Sequence, residues 1–373
     1  MPSNNSQHPR FVLLDGLRGI AALFIIQRHA PSLLGDELPS SYLGVDLFFA
    51  LSGFVLAHAY GAAIADQWIS ALAFMKMRLF RLYPLYGLAL FLMTTFFITL
   101  WLSNVPTPLD DLHRPIDLQE LAIALVTGLL FIPAPFSLTL NGALFLVHPA
   151  WSLFNELVAN IVYGLWGARA RTKHLLIVVA VSAVVLVFAA AEFGRLHAGF
   201  RWSEMHAGMA RVFFSFFVGV LIYRLRSRLP KVQPLVAIGC LAFVILILAF
   251  PTPKPLKAYF DLFVVVFCWP GLLLVASRCV PDPVTGKISA FLGTASYAVY
   301  VLHVPLLAWT EHLLPHITDS RAIPYAGLVL MAAITAVSWY VTVHMDQPLQ
   351  RWFKNRLRRP QVFRPISDSG STR

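Results

Sequence analysis

Residues 11–34 read FVLLDGLRGIAALFIIQRHAPSLL, an apolar run suited to a bilayer that nevertheless carries Asp15, Arg18, Arg28 and His29. An ionisable group at bilayer depth costs roughly 2.5–3.5 kcal/mol on insertion scales unless it faces a partner or a watery cavity. Four of them in one segment mark a site, not a lipid-facing wall. At about 100° and 1.5 Å per residue, Arg18 and His29 lie about 20° apart around a helix and roughly 16 Å apart along it. One helix face presents a cation near one membrane surface and an imidazole about half a bilayer away.

The rest of the chain fits that reading. Of 373 residues, 58% are hydrophobic and 13% are charged, against about 25% charged in soluble domains. Residues 82–105, 175–191, 235–250 and 262–277 contain no charge at all, and runs of this length are membrane-helix candidates. The net charge of +11 does not indicate a nucleic-acid partner, because Lys and Arg fall between spans, where membrane insertion puts them. Cys240, Cys268 and Cys279 have neither pairing nor metal-ligand spacing. They read as small buried hydrophobes, and no metal site is expected.

The basic connections are 76–81, 169–173, 224–231 and 351–359; the basic-poor ones are 35–41, 109–120 and 315–323. With the first group in the cytoplasm, the count closes at ten spans provided residues 121–136 do not cross. That stretch is short, contains Gly128 and ends in Pro133 and Pro135, which suits a re-entrant or interfacial helix. The expected fold is an all-α polytopic membrane protein of about ten transmembrane helices plus that one, with both termini cytoplasmic. Lys254 and Lys257 fall outside, as an exception. A single integral-membrane domain is expected over residues 1–359, followed by a disordered cytoplasmic tail at 360–373.

Counting depth along these spans brings His29, Asp46, Glu156 and His303, from four helices, to the outer half of the membrane. Arg78 and Arg81, three apart on one helix face, stand at the cytoplasmic mouth of the third span, and Arg18 is near enough to join them. Arginine suits phosphate because its planar donors match phosphate oxygens. The expectation is a cytoplasmic anion pocket below an outer acid/base cluster. His58, His148 and His344 lie near span ends and read as interfacial.

These residues also form a pattern. Leu14-Asp15-Gly16-Leu17-Arg18-Gly19-Ile20-Ala21, with His29 following, resembles the opening signature of the acyltransferase-3 membrane family. So do Gly44-Val45-Asp46-Leu47-Phe48-Phe49, Leu51-Ser52-Gly53-Phe54, and residues 74–84 with Arg78 and Arg81. Trp151-Ser152-Leu153 with Glu156 resembles the central motif, and Gly293, Ser296-Tyr297, Tyr300 and His303 the late one. The landmarks appear in order across nearly the whole chain. Met77 stands where relatives often carry another basic residue, and Asp346-Gln347-Pro348 replaces a more usual Glu-x-Pro.

The resemblance implies transfer of an acyl group, usually acetyl, from cytoplasmic acyl-CoA to a hydroxyl of a cell-envelope glycan or related acceptor. It implies a bacterial inner-membrane location, acyl-CoA (acetyl-CoA foremost) as a co-substrate, no tightly bound cofactor, and a stand-alone enzyme. The general base maps to His29 and the donor-binding arginines to Arg18, Arg78 and Arg81. Glu156 maps to a second acid/base or orienting position. On chemical grounds Asp46 or Glu156 would orient His29. Ser152, Ser296 or Tyr297 would donate to the oxyanion, with Trp151 and His303 on the substrate side. A tunnel is expected, basic at one end and proton-accepting at the other. No Gly-x-Ser-x-Gly elbow is present, which favours direct transfer over an acyl-enzyme. The rival reading, a secondary transporter or flippase of an anionic solute, calls for two related halves with matching broken helices, and no such pairing is evident.

Overall fold

The computed structural model describes residues 11–35, 37–106, 114–228, 230–314 and 325–357. The expected tail at 360–373 and the 315–323 connection lie outside the described residues. Those described are helical and irregular, with no strand beyond two isolated bridges, Ala143 to Arg201 and Val232 to Cys279.

Seven helical stretches are long and apolar enough to cross a membrane: Ser41–Ala65, Ala71–Leu102, Thr172–Phe193, Trp202–Arg228, Lys254–Ala276, Pro283–Leu313 and Ala326–Phe353. Three helices included in the ten-span expectation are shorter. α1 (Val12–Arg28) has 17 residues, and α5 (Ala150–Val162) has 13 before a π-helical turn at Tyr163–Gly167. α8 (Val236–Ala249) has 14. The 12 residues of α4 (Leu118–Leu129) extend only about 18 Å, well short of a hydrocarbon core of about 30 Å. Asp117 caps that helix through the amides of Gln119 and Glu120, and Glu120 accepts from Ser137 Oγ at 2.7 Å and Thr139 N at 2.8 Å. The loop after α4 is thereby tied back to its first turn.

The other principal helices are α2 (Gly44–Ala65), α3 (Ala71–Leu102), α6 (Thr172–Phe193) and α7 (Met205–Leu225). After them come α9 (Lys257–Phe263), α10 (Trp269–Ala276), α11 (Pro283–Leu313), α12 (Ala326–Val341) and α13 (Gln347–Leu357). α6 leaves Leu176, Ile177, Val181, Val184, Val187 and Phe188 exposed. An uncovered apolar surface of this kind is lipid-facing, and the protein is an integral membrane protein. Cys240 and Cys279 are buried free thiols, and Cys268 is half-buried.

Two close helix pairs hold the centre. α1 crosses α11 where a Cβ on Gly19 would lie 2.4 Å from Leu292 Cβ, and one on Gly293 2.4 Å from Asp15 Cβ. α2 crosses α7 where a Cβ on Gly53 would meet Phe216 O at 1.9 Å, and one on Gly219 would meet Ala50 O at 2.0 Å. Small residues let membrane helices touch backbone to backbone. The glycines of the sequence blocks are therefore contact points, and they bring side chains from distant parts of the chain within bonding distance.

Candidate functional site

Two cavities among the described residues gather the polar side chains, one toward the end where α1 begins (proximal) and one where it stops (distal). The proximal cavity, about 140 Å³, is lined by Arg18, Arg78, Arg81, Glu156, Ser52, Ser152, Ser296, Tyr297 and Tyr300 with apolar side chains between them. The α1–α11 crossing sets Arg18. Its Nε donates to Ser296 Oγ at 2.8 Å, and its Nη2 to the Gly293 carbonyl at 2.9 Å and to Asp15 at 3.2 Å. Arg78 donates to Glu156 Oε1 at 2.6 Å, where Ser52 Oγ also donates at 2.6 Å. Arg81 reaches Asp346 Oδ2 at 3.0 Å and lies over the Tyr297 ring at 5.2 Å. A π-helical turn, Thr342–Asp346, precedes α13 and carries the buried Asp346.

The three guanidinium groups meet in one cavity, as expected, and each leans on its own carboxylate. Arg78 Nε is buried with no acceptor among the described residues. Such an arrangement suits an incoming polyanion, because carboxylates hold the forks in place and one donor is left over.

The distal cavity, about 30 Å³, is lined by His29, His148, His197, Arg28, Arg211, Tyr42, Trp151, Phe200 and Tyr300, among others. His29 ends α1, and its Nδ1 lies 2.9 Å from the carbonyl of Ile25; His303 Nδ1 lies 3.1 Å from that of Val299. A carbonyl can only accept, so in each ring Nδ1 carries the proton and Nε2 the lone pair. His303 Nε2 is 3.2 Å from His29 Nδ1. His29 is thereby held with Nε2 as its basic atom and a second imidazole behind it.

This geometry corrects several expectations. The four titratable groups matched by depth do not converge. His29 and His303 meet, whereas Glu156 belongs to the arginine cavity, and both oxygens of Asp46 go to Arg211 at 3.0 and 2.7 Å. The Ile25 carbonyl and His303 take the orienting place expected for Asp46 or Glu156. His148, expected only near a span end, also lines the distal cavity. Its ring centroid lies 6.1 Å from that of His29 inside the cavity.

The three hydroxyls expected to face an oxyanion are committed to carbonyls. Ser152 Oγ donates to Pro149 O at 3.0 Å, Ser296 Oγ to Gly293 O at 2.8 Å and Tyr297 Oη to Leu82 O at 2.7 Å. Trp151 stacks near Arg211, whose guanidinium carbon is 5.4 Å from the indole centroid. Nor is the tunnel continuous. Tyr300 alone lines both cavities, and its hydroxyl sits 2.6 Å from Ser152 Oγ. That hydrogen-bonded pair forms the wall between them.

Arg211, His197, His148 and Asp346 are site residues that sequence reasoning misses. Asp346 had a signal in the altered Glu-x-Pro position, and Arg211 had one as a lone cation inside an apolar run. The two histidines lie in connections, where nothing in the sequence marks them.

A family model described as an acyltransferase domain matches residues 11–343. "Protein 2 in picA locus" from Rhizobium radiobacter is 66% identical over 190 residues, covering 50% of this chain and 100% of that protein. "Putative peptidoglycan O-acetyltransferase YrhL" from Bacillus subtilis (strain 168) is 23% identical over 413 aligned positions, covering 97% of this chain and 58% of that protein. No solved structure is a significant match. With the family's pattern running from the first helix to the last π-helical turn, this chain belongs to the acyltransferase-3 family of membrane acyltransferases.

Proposed function

We propose that the protein is an O-acyltransferase that moves an acyl group, acetyl foremost, from cytoplasmic acyl-CoA to a hydroxyl of a cell-envelope glycan. The observation that carries this reading is the stacking of an arginine cavity directly beneath an imidazole cavity, with Tyr300 as their common wall. In this reading α1, α5 and α8 also cross the membrane, making ten spans, and both termini and the proximal cavity face the cytoplasm. The acceptor waits at the distal side of a bacterial inner membrane. The relative that shares 97% of this chain's length is named for peptidoglycan O-acetylation, which agrees with an envelope acceptor.

Arg78, Arg81 and Arg18 bind the nucleotide phosphates at the proximal mouth, and the slender pantetheine arm extends toward Tyr300. Rotation of Tyr300 away from Ser152 admits the thioester to the distal side. His29 Nε2 takes the proton of the acceptor hydroxyl as its oxygen attacks the thioester carbonyl. The tetrahedral intermediate collapses, the C–S bond breaks, and the imidazolium returns the proton to the leaving thiolate. An ester and free coenzyme A result. While His29 is cationic, the Ile25 carbonyl and His303 Nε2 accept from its Nδ1–H and steady the charge.

The test is coenzyme A release by the purified protein in detergent, with and without a candidate sugar acceptor. Acceptor-dependent release is expected, and His29→Ala is expected to abolish it while leaving the protein folded. Arg78→Gln with Arg81→Gln should raise KM for acetyl-CoA about tenfold or more, as loss of charge-assisted bonds requires. A transporter of anions would show nothing without sealed vesicles, and that outcome overturns the reading.

A further inference from the structure

At the distal end each buried cation has a carboxylate partner, but the partners differ in kind. Arg211 pairs with Asp46, both essentially inaccessible, and Lys257 pairs with the buried Asp261 at 3.1 Å. Arg28 is 8% exposed and pairs at 2.8 Å with Glu37, which is 50% exposed. Its other hydrogen bonds are long and to neutral groups, Ser41 Oγ at 3.3 Å and His197 Nδ1 at 3.4 Å. Displacing Asp46 or Asp261 would strand a carboxylate in the protein interior. Displacing Glu37 merely returns one to water. Arg28 is therefore the buried cation at this end whose counter-ion can be exchanged cheaply.

We propose that the mouth of the distal cavity is the acceptor site, and that it selects acceptors carrying an anionic group, carboxylate or phosphate, close to the hydroxyl that is acylated. Glu37 occupies the anion's position on Arg28 until the acceptor replaces it. The inference rests on the acyltransferase reading for what happens to the hydroxyl, but not for the binding itself.

Three further observations agree. Arg195 and Arg201 make no ion pair among the described residues, and their charges reach Arg28, His197 and His148. The field at this mouth is therefore attractive to anions. In the proposed orientation Arg28, Arg195, Arg201, Lys254 and Lys257 all lie on the outer side, against the insertion rule. Lys257 and Arg28 both stand over the ring of Tyr42, at 5.2 and 5.1 Å, so part of this exception borders the cavity itself. Finally, Tyr42, Trp151 and Phe200 supply flat walls among the imidazoles and guanidinium groups that line this cavity, so a ring face and a charge can be met at one place. A space of about 30 Å³ takes a hydroxyl arm, not a whole ring, which leaves the acceptor's body and its charge at the rim beside Arg28.

The experiment is equilibrium dialysis of the full-length protein in detergent against radiolabelled glucose, glucuronate and glucose 6-phosphate, which share a ring and differ in charge. Both anions are expected to bind about tenfold or more tightly than glucose, the effect of one charge-assisted contact. Glu37→Gln should tighten both anions severalfold and leave glucose unchanged; Arg28→Gln should level the three. The proposal is overturned if glucose binds as well as the anions, if none of the three binds, or if Glu37→Gln leaves anion binding unchanged. It is also overturned if that variant alters acetyl-CoA binding instead, because the exchange would then belong to the donor. Glu37 is half-exposed, so its variant tests the idea even if Arg28→Gln fails to fold. Anion selectivity with no acyl transfer from any thioester would leave this site standing and remove the enzymatic reading.

Discussion

At the scale of single residues, positioning is done by groups that the chemistry does not consume. Asp346 holds Arg81, which is 39% exposed, at 3.0 Å. Asp346→Asn weakens that anchor without touching the histidines. KM for acetyl-CoA should rise about three- to tenfold, a solvent-screened share of a charge-assisted bond, with kcat kept; steady-state kinetics separates the two. His148 lies in the connection before α5, and burial, reinforced by the charges of His29, Arg201 and Arg28, pushes its imidazole down to about 3 from an ordinary 6.5. Between those values the unfolded chain binds more protons than the folded one, so this group's contribution to stability falls as pH drops below about 6.5. Thermal unfolding in detergent should shift down between pH 7 and 5, and His148→Gln should flatten part of that slope.

At the scale of elements, the crossings are what bring the motifs together. Ser52 and Gly53 are adjacent on α2; Gly53 lets α2 seat against Phe216 of α7, while Ser52 reaches Glu156. Gly53→Ala forces the helices apart or bends one of them, an overpacking cost of typically about 1–3 kcal/mol. A lower unfolding midpoint is expected, with weaker donor binding as Ser52 and Glu156 shift; an unchanged midpoint would mean that the crossing yields easily. α4 is short, but α8 has only two residues more, so helix length by itself does not separate the helices counted as spans from the one that is not. The span-by-span reading set Glu156 at the level of His29, because rise per residue measures depth along a helix and says nothing of which cavity its side chain enters.

For the whole molecule, the separation of the two cavities is the feature with the clearest consequence. Tyr300, bonded to Ser152, lines both the arginine cavity and the imidazole cavity, and in the proposed mechanism it is the barrier between them. Removing the ring with Tyr300→Ala joins the cavities. Coenzyme A release without acceptor should then increase, as water replaces the hydroxyl nucleophile, and the fraction of acyl groups reaching a sugar should fall. Parallel assays of coenzyme A and acylated product would register both changes. If release and product stay coupled, Tyr300 is not the barrier.

Membrane residence, the helical class, the arginines at one depth and His29 at another were all legible in the residues alone. Each follows from hydropathy, charge placement and the fixed rise and turn of a helix, which are local properties. The partners of those groups were not. That His303 backs His29, that Asp46 belongs to Arg211 and Glu156 to Arg78, and that Tyr300 divides the path were decided by glycine-mediated crossings between helices far apart in the chain. A one-dimensional count of depth carries no information about azimuth between helices, and in this protein azimuth determines which charge meets which.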